Sequence, residues 1–120
     1  MRHCALRGHE VVVIYDMRAG GFDRKMLLKW ADEMSRINCV VARGYPGPGL
    51  EVCTDFLGVA INWEGEPQVF ETAIFVRSSD DEPGLDGRGK CEIIGRCATW
   101  EQAEQMHAAA MKACQKATRS

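Results

Sequence analysis

The chain has little net charge of either sign. Its 15 lysines and arginines nearly balance 17 aspartates and glutamates, for a net charge of -2. That balance supplies no electrostatic attraction for nucleic acid or an anionic membrane, and it is far from the acidity of a DNA mimic. Long apolar runs are absent too. None approaches the ~18 residues of a membrane-spanning helix, so no membrane association is expected. The six cysteines, Cys4, Cys39, Cys53, Cys91, Cys97 and Cys114, form no Cys-x-x-Cys pair. The short paired spacings of a structural zinc site are therefore missing. Histidine is scarce: only His3, His9 and His107 occur, and no local signature joins one to a nucleophile. "GLDGRG" lacks the glycine spacing of a P-loop or dinucleotide fingerprint, so no nucleotide cofactor is expected. The start, "MRHCALRGHEVVVIYD", places charges where a signal peptide would have its apolar core. A cytoplasmic setting follows, with reduced, largely buried thiols.

The chain has 120 residues, 46% hydrophobic and 27% charged, which predicts one globular domain, 1–120, with its own core. "RHCAL" and "EVVVIYD" read as a β-hairpin around "RGH". In "FDRKMLLKWADEMSRI" the apolar residues Leu27, Trp30, Ala31, Met34 and Ile37 recur at helical spacing, behind Asp23 as N-cap. Trp30 is expected as a core anchor of that stripe. "ARGYPGPG" holds two prolines and three glycines in eight residues and reads as a loop. "LEVCTDFLGVAIN" and "QVFETAIFV" read as two long strands paired antiparallel across "WEGEP". "CEIIGRC" is a further strand, with Cys91 and Cys97 expected on one face. "RSSDDEPGLDGRGK" is a polar loop carrying the acidic cluster Asp80, Asp81 and Glu82. The last helix begins at a Thr-x-x-Gln capping box, Thr99 to Gln102, and its apolar face is read as Ala103, Met106, Ala110, Ala113 and Ala117.

The expected fold class is α+β. An antiparallel sheet, made of a three-stranded meander plus the N-terminal hairpin, carries two helices on one face. Within it, "QVFETAIFV" poses a specific question, because Glu71 and Thr72 interrupt an apolar strand. Alternation assigns Phe70, Thr72, Ile74 and Val76 to the core face and leaves Glu71 on the other, where a carboxylate reaches solvent or a partner.

"EVCTDFLGVAINWEGEPQVFETAIF" and "GRCATWEQAEQMHAA" together resemble a family of small phage and prophage proteins. Its members carry a pattern close to V-S-T-V-F-L-G, then F-E-T-M-V-F, then Y-x-T-x-x-E-A-x-x-G-H. The matching positions are Val52, Thr54, Phe56, Leu57 and Gly58, then Phe70, Glu71, Thr72 and Phe75, then Thr99, Ala103 and His107. Trp30–Ala31 matches a Trp-Ala in an upstream helix, and the likeness covers roughly residues 27 to 110. The chain departs from the pattern at Asp55, at Ala60–Ile61 where an Asp-His pair is usual, and at Met106. The resemblance implies a phage or mobile-element origin in a bacterial host cell and brings no activity with it.

Small size, no catalytic constellation and this resemblance lead to one expectation: a non-enzymatic binding protein with a protein partner. An inhibitor of a host or defence complex, of the anti-CRISPR kind, would fit. Its expected partner contacts are Glu71, Trp63, Asp80, Asp81 and Glu82. Two other classes stay open. The order helix, three strands, helix is that of a double-stranded RNA-binding domain, but Glu101 and Glu104 stand where phosphate would meet basic residues. A small enzyme with a Cys/His site assembled in space is the other.

Overall fold

A computed structural model gives the fold for residues 1–17, 21–77 and 90–118. Its strands are β1 (Arg2–Arg7), β2 (Glu10–Asp16), β3 (Val40–Gly47), β4 (Leu50–Phe56), β5 (Val59–Ala60), β6 (Phe70–Val76) and β7 (Lys90–Cys97). Its helices are α1 (Arg24–Met34) and α2 (Trp100–Thr118). The fold is α+β with antiparallel sheets, and the N-terminal hairpin forms across a two-residue loop between Arg7 and Glu10. There are two sheets, ordered β2-β1-β5 and β3-β4-β6-β7. Each takes its own helix, so the two helices do not share one sheet: α1 packs on β1 and β2, and α2 on the four-stranded sheet. The molecule is accordingly long, 51 × 29 × 24 Å, with a radius of gyration of 16.2 Å. A compact chain of this length would be nearer 13–14 Å, at roughly the expected scaling.

The expected long strand "LEVCTDFLGVAIN" is cut in two. Gly58 has φ of +78°, a conformation that side chains with a Cβ resist, and a Cβ there would also lie 2.6 Å from Met34 Cε. The chain therefore leaves the four-stranded sheet after Phe56. As β5 it pairs with β1 in the other sheet, before β6 returns to pair with β4. Gly58 is the joint between the sheets. Its carbonyl accepts from the Cys4 amide at 2.7 Å and from the Trp30 indole at 3.1 Å. Trp30 also donates to the Cys4 carbonyl at 2.8 Å, so it anchors α1 as expected, through hydrogen bonds as well as packing.

"ARGYPGPG" is a turn only at Pro48 and Gly49, which corrects the sequence reading of the whole stretch as a loop. Residues 42–47 belong to β3, at the edge of the four-stranded sheet. An edge strand tolerates Pro46, and the register slips between Gly44 and Gly47 to accommodate it. The glycine at 44 has a packing reason. A Cβ on Gly44 would lie 2.5 Å from Met111, so its absence lets α2 lie close over β3.

Two apolar clusters form the core. Cys4, Leu6, Phe56, Ala60, Val69, Phe70 and Ala103 join the two sheets and the start of α2. Val52, Ala110 and Cys114 lie under its later turns. The buried stripe of α2 thus runs Ala103, Ala110, Cys114, whereas the expected Ala113 and Ala117 are exposed. In α1 the expected Ala31 is likewise exposed. Both helix starts form as read. Asp23 accepts from the Lys25 and Met26 amides, and Thr99 Oγ1 accepts from the Gln102 amide at 3.1 Å while Gln102 Oε1 reaches back to the Thr99 amide at 3.3 Å. Cys91 and Cys97 stand on opposite faces, because β7 carries a bulge where its register slips opposite Thr72 and Ala73.

Candidate functional site

The face of β6 that meets α2 carries Thr72, fully buried. Thr72 Oγ1 lies 2.7 Å from Thr54 Oγ1 on the neighbouring strand, and Thr54 Oγ1 lies 2.9 Å from His107 Nδ1 on the helix. Burial lowers the pKa of His107, which keeps the imidazole neutral. With the ring proton on Nε2, Nδ1 accepts from the Thr54 hydroxyl, which accepts in turn from Thr72. A hydroxyl beside an imidazole has the makings of an activated nucleophile. Here both threonines have zero exposure, so no substrate reaches them. The trio ties helix to sheet, between the two apolar clusters. Sequence reading missed it, although Thr54, Thr72 and His107 all stand in the phage-like pattern; hydroxyls on the core face of adjacent strands were the available signal.

The other two histidines are also occupied by packing. His3 is buried, stacked on Tyr15 and edge-on to Trp30, and His9 stacks on Trp100 with centroids 3.8 Å apart. Burial raises the thiol pKa of Cys4 to about 11 and pushes those of Cys39, Cys53 and Cys97 upward. Raised thiol pKa values are the reverse of what a cysteine nucleophile needs. The six cysteines carry no disulfide. Among the described residues, no group of three or more His, Cys, Asp or Glu is placed to hold a metal ion. Among the described residues, no helix is long and apolar enough to cross a membrane.

The opposite face of the four-stranded sheet is different. Among the described residues, no helix or strand packs over it. Glu71 lies there, as alternation predicts, and accepts from Arg96 Nε at 2.9 Å. The register sets Asp55, Glu71 and Arg96 in one cross-strand row. The next row holds Arg43, Cys53, Ala73 and Ile93, and the one beyond it Glu51, Phe75 and Cys91. Arg43 Nε reaches Glu51 Oε1 at 3.9 Å. The Cys53 thiol donates to Asp55 Oδ2 at 3.2 Å, and Cys53 and Ala73 beside it are buried. Ile93 is 55% exposed and Ile94, on the bulge, 46%. Tyr45, on the edge strand β3, is 72% exposed. The exposed apolar groups on this face, Tyr45 and Ile93, stand on its two edge strands, with the buried Cys53 and Ala73 and the internally paired charges between them.

Trp63 occupies the β5–β6 loop and is 46% exposed. That loop is held firmly. Arg2 donates to the Asn62 and Gly65 carbonyls, both at 2.8 Å, and the Asn62 side chain bridges the Glu64 and Glu66 carbonyls and the Gln68 amide. Asp80, Asp81 and Glu82 lie outside the described residues. Of the expected contacts, then, Glu71 sits on the uncovered sheet face and Trp63 on a braced loop. Alternation puts Phe75 on the face of Glu71, but Ile93 was not read from sequence as part of it, because that depends on which strands neighbour one another. No family model, curated protein or solved structure matches this chain.

Proposed function

We propose that this is a small non-enzymatic binding protein that engages a protein partner through the uncovered face of its four-stranded sheet. The observation that carries this reading is the exposure of Ile93 and Tyr45 on the face that holds the Glu71–Arg96 pair. Protein interfaces combine an apolar centre with a polar rim, and a few buried anchors such as tyrosine at the centre supply most of their affinity. Among the described residues, the burial of both hydroxyls in the Thr72–Thr54–His107 chain weighs against catalysis. Glu101, in the first turn of α2, weighs against duplex RNA, which would need cations there. The resemblance to small phage and prophage proteins supports a mobile-element origin and a partner in a bacterial host, with a host or defence complex as its target.

The test is affinity capture from a bacterial host lysate at native salt, comparing the natural chain with Ile93→Glu. The expected outcome is a specific partner retained by the natural chain and lost by the variant, at an unchanged melting temperature. Recovery of no specific partner, or equal capture by both, rejects the reading.

A further inference from the structure

A crevice of about 470 Å³ opens away from the sheet face, between β2, the β5–β6 loop and the start of α2. That volume is within the range of ligand pockets, roughly 300–1,000 Å³. Its floor is apolar, formed by Val11, Val13 and Pro67, and Val13 is 45% exposed although it sits opposite the buried Cys4 on β1. Its rim carries three carboxylates, Glu10, Glu66 and Glu101, and no lysine or arginine among the described residues. Among those residues none of the three joins an ion pair, whereas Glu33, Asp32, Glu51 and Glu71 elsewhere each hold an arginine. The helix start offers no compensating anion site. The Ala98 and Thr99 amides are taken by Gln102 Oε1, and the Gln102 amide by Thr99. One wall continues into the His9–Trp100 stack, whose planes are 7° apart. The loop that supplies Glu66 and Pro67 is pinned by Arg2 and Asn62, so the crevice exists before anything enters it.

We infer that the crevice receives an arginine side chain of a partner protein. An arginine has an apolar stem for the valine and proline floor and a planar cation for the carboxylates. The same plane stacks on a flat aromatic surface, which a lysine ammonium cannot do. This inference rests on the reading of the chain as a protein-binding protein, but not on the sheet face as the surface used.

The experiment is an amide NMR titration of the full chain with a capped arginine-containing pentapeptide and with its citrulline twin, which keeps the shape and loses the charge. The expected result is saturable shifts centred on His9, Val11, Val13 and Thr99, with the citrulline peptide weaker by about tenfold or more. The double variant Glu66→Gln, Glu101→Gln should keep its own spectrum folded and lose the shifts, while Ile93→Glu should keep them. Absence of saturable shifts at millimolar peptide overturns the inference, and so does equal binding of the citrulline twin. If the shifts are absent while Ile93→Glu still loses its captured partner, the crevice inference fails and the sheet-face reading stands. If the shifts appear while capture ignores Ile93→Glu, the reverse holds.

Discussion

Glu71 and His107 stand on opposite sides of the same sheet. His107 reaches Thr54 under α2, and Glu71 reaches Arg96 on the uncovered face. The carboxylate is tolerated inside an apolar strand because strand alternation turns it outward, toward a guanidinium on the next strand. Thr72 is tolerated because it hydrogen bonds to Thr54. A double-mutant cycle on Glu71→Gln and His107→Gln should therefore be additive to within about 0.5 kcal/mol in urea denaturation. Coupling well above that would place the two side chains in contact and contradict the assigned faces.

Thr54 is the middle of the buried trio, so its loss strands both neighbours. Thr54→Val keeps the shape of the side chain but leaves His107 Nδ1 and the Thr72 hydroxyl without their partner. Leaving a buried polar group unsatisfied costs about 1–3 kcal/mol. The expected shift is a lower urea midpoint at unchanged slope. A midpoint equal to that of the natural chain would mean the threonine hydroxyls are not bonded as described.

Acid should weaken the fold through His107 and His3. Burial lowers both from the ordinary value of 6.5, and the positive N-terminal amine lowers His3 further. The unfolded chain then binds protons more readily than the folded one. The stability linked to these groups is complete above pH 6.5 and is lost as pH falls from there toward their folded pKa values. Thermal unfolding should show a melting temperature that declines below that pH. His107→Gln, whose amide oxygen can still accept from Thr54, should decline less steeply. A variant slope equal to or steeper than that of the natural chain would show that His107 is not held neutral by burial.

The capping box at the start of α2 gives a further check. Thr99→Ala removes the acceptor for the Gln102 amide and should cost about 1 kcal/mol. An unchanged denaturation midpoint would mean that the helix begins elsewhere.

Much of this fold is legible in the sequence where the controlling interactions are local. The caps at Asp23 and Thr99, the first hairpin and the alternation around Glu71 each depend on residues a few positions apart. The errors arise where a distant element decides. Gly44 reads as a loop residue until α2 is laid across β3, and then its missing Cβ is a packing requirement. Gly58 reads as mid-strand until its positive φ and the return to β1 are seen. The bulge that separates Cys91 from Cys97 has no mark in "CEIIGRC". For the candidate site, the outward face of Glu71, with Phe75 beside it, was readable from alternation. The neighbour on the next strand was not, since Ile93 joins Glu71 and Phe75 only through the pairing of β6 with β7.

Cys91 offers the most direct test of the sheet face as the partner surface. It is exposed and shares a row with Phe75, whereas Cys4, Cys39, Cys53 and Cys97 are more buried, with thiols pushed upward in pKa. Brief alkylation followed by mass spectrometry should modify Cys91 first in the isolated protein. In the captured complex, Cys91 should be protected while the order among the other thiols is retained. Cys91 reacting as fast in the complex as in isolation would contradict the account.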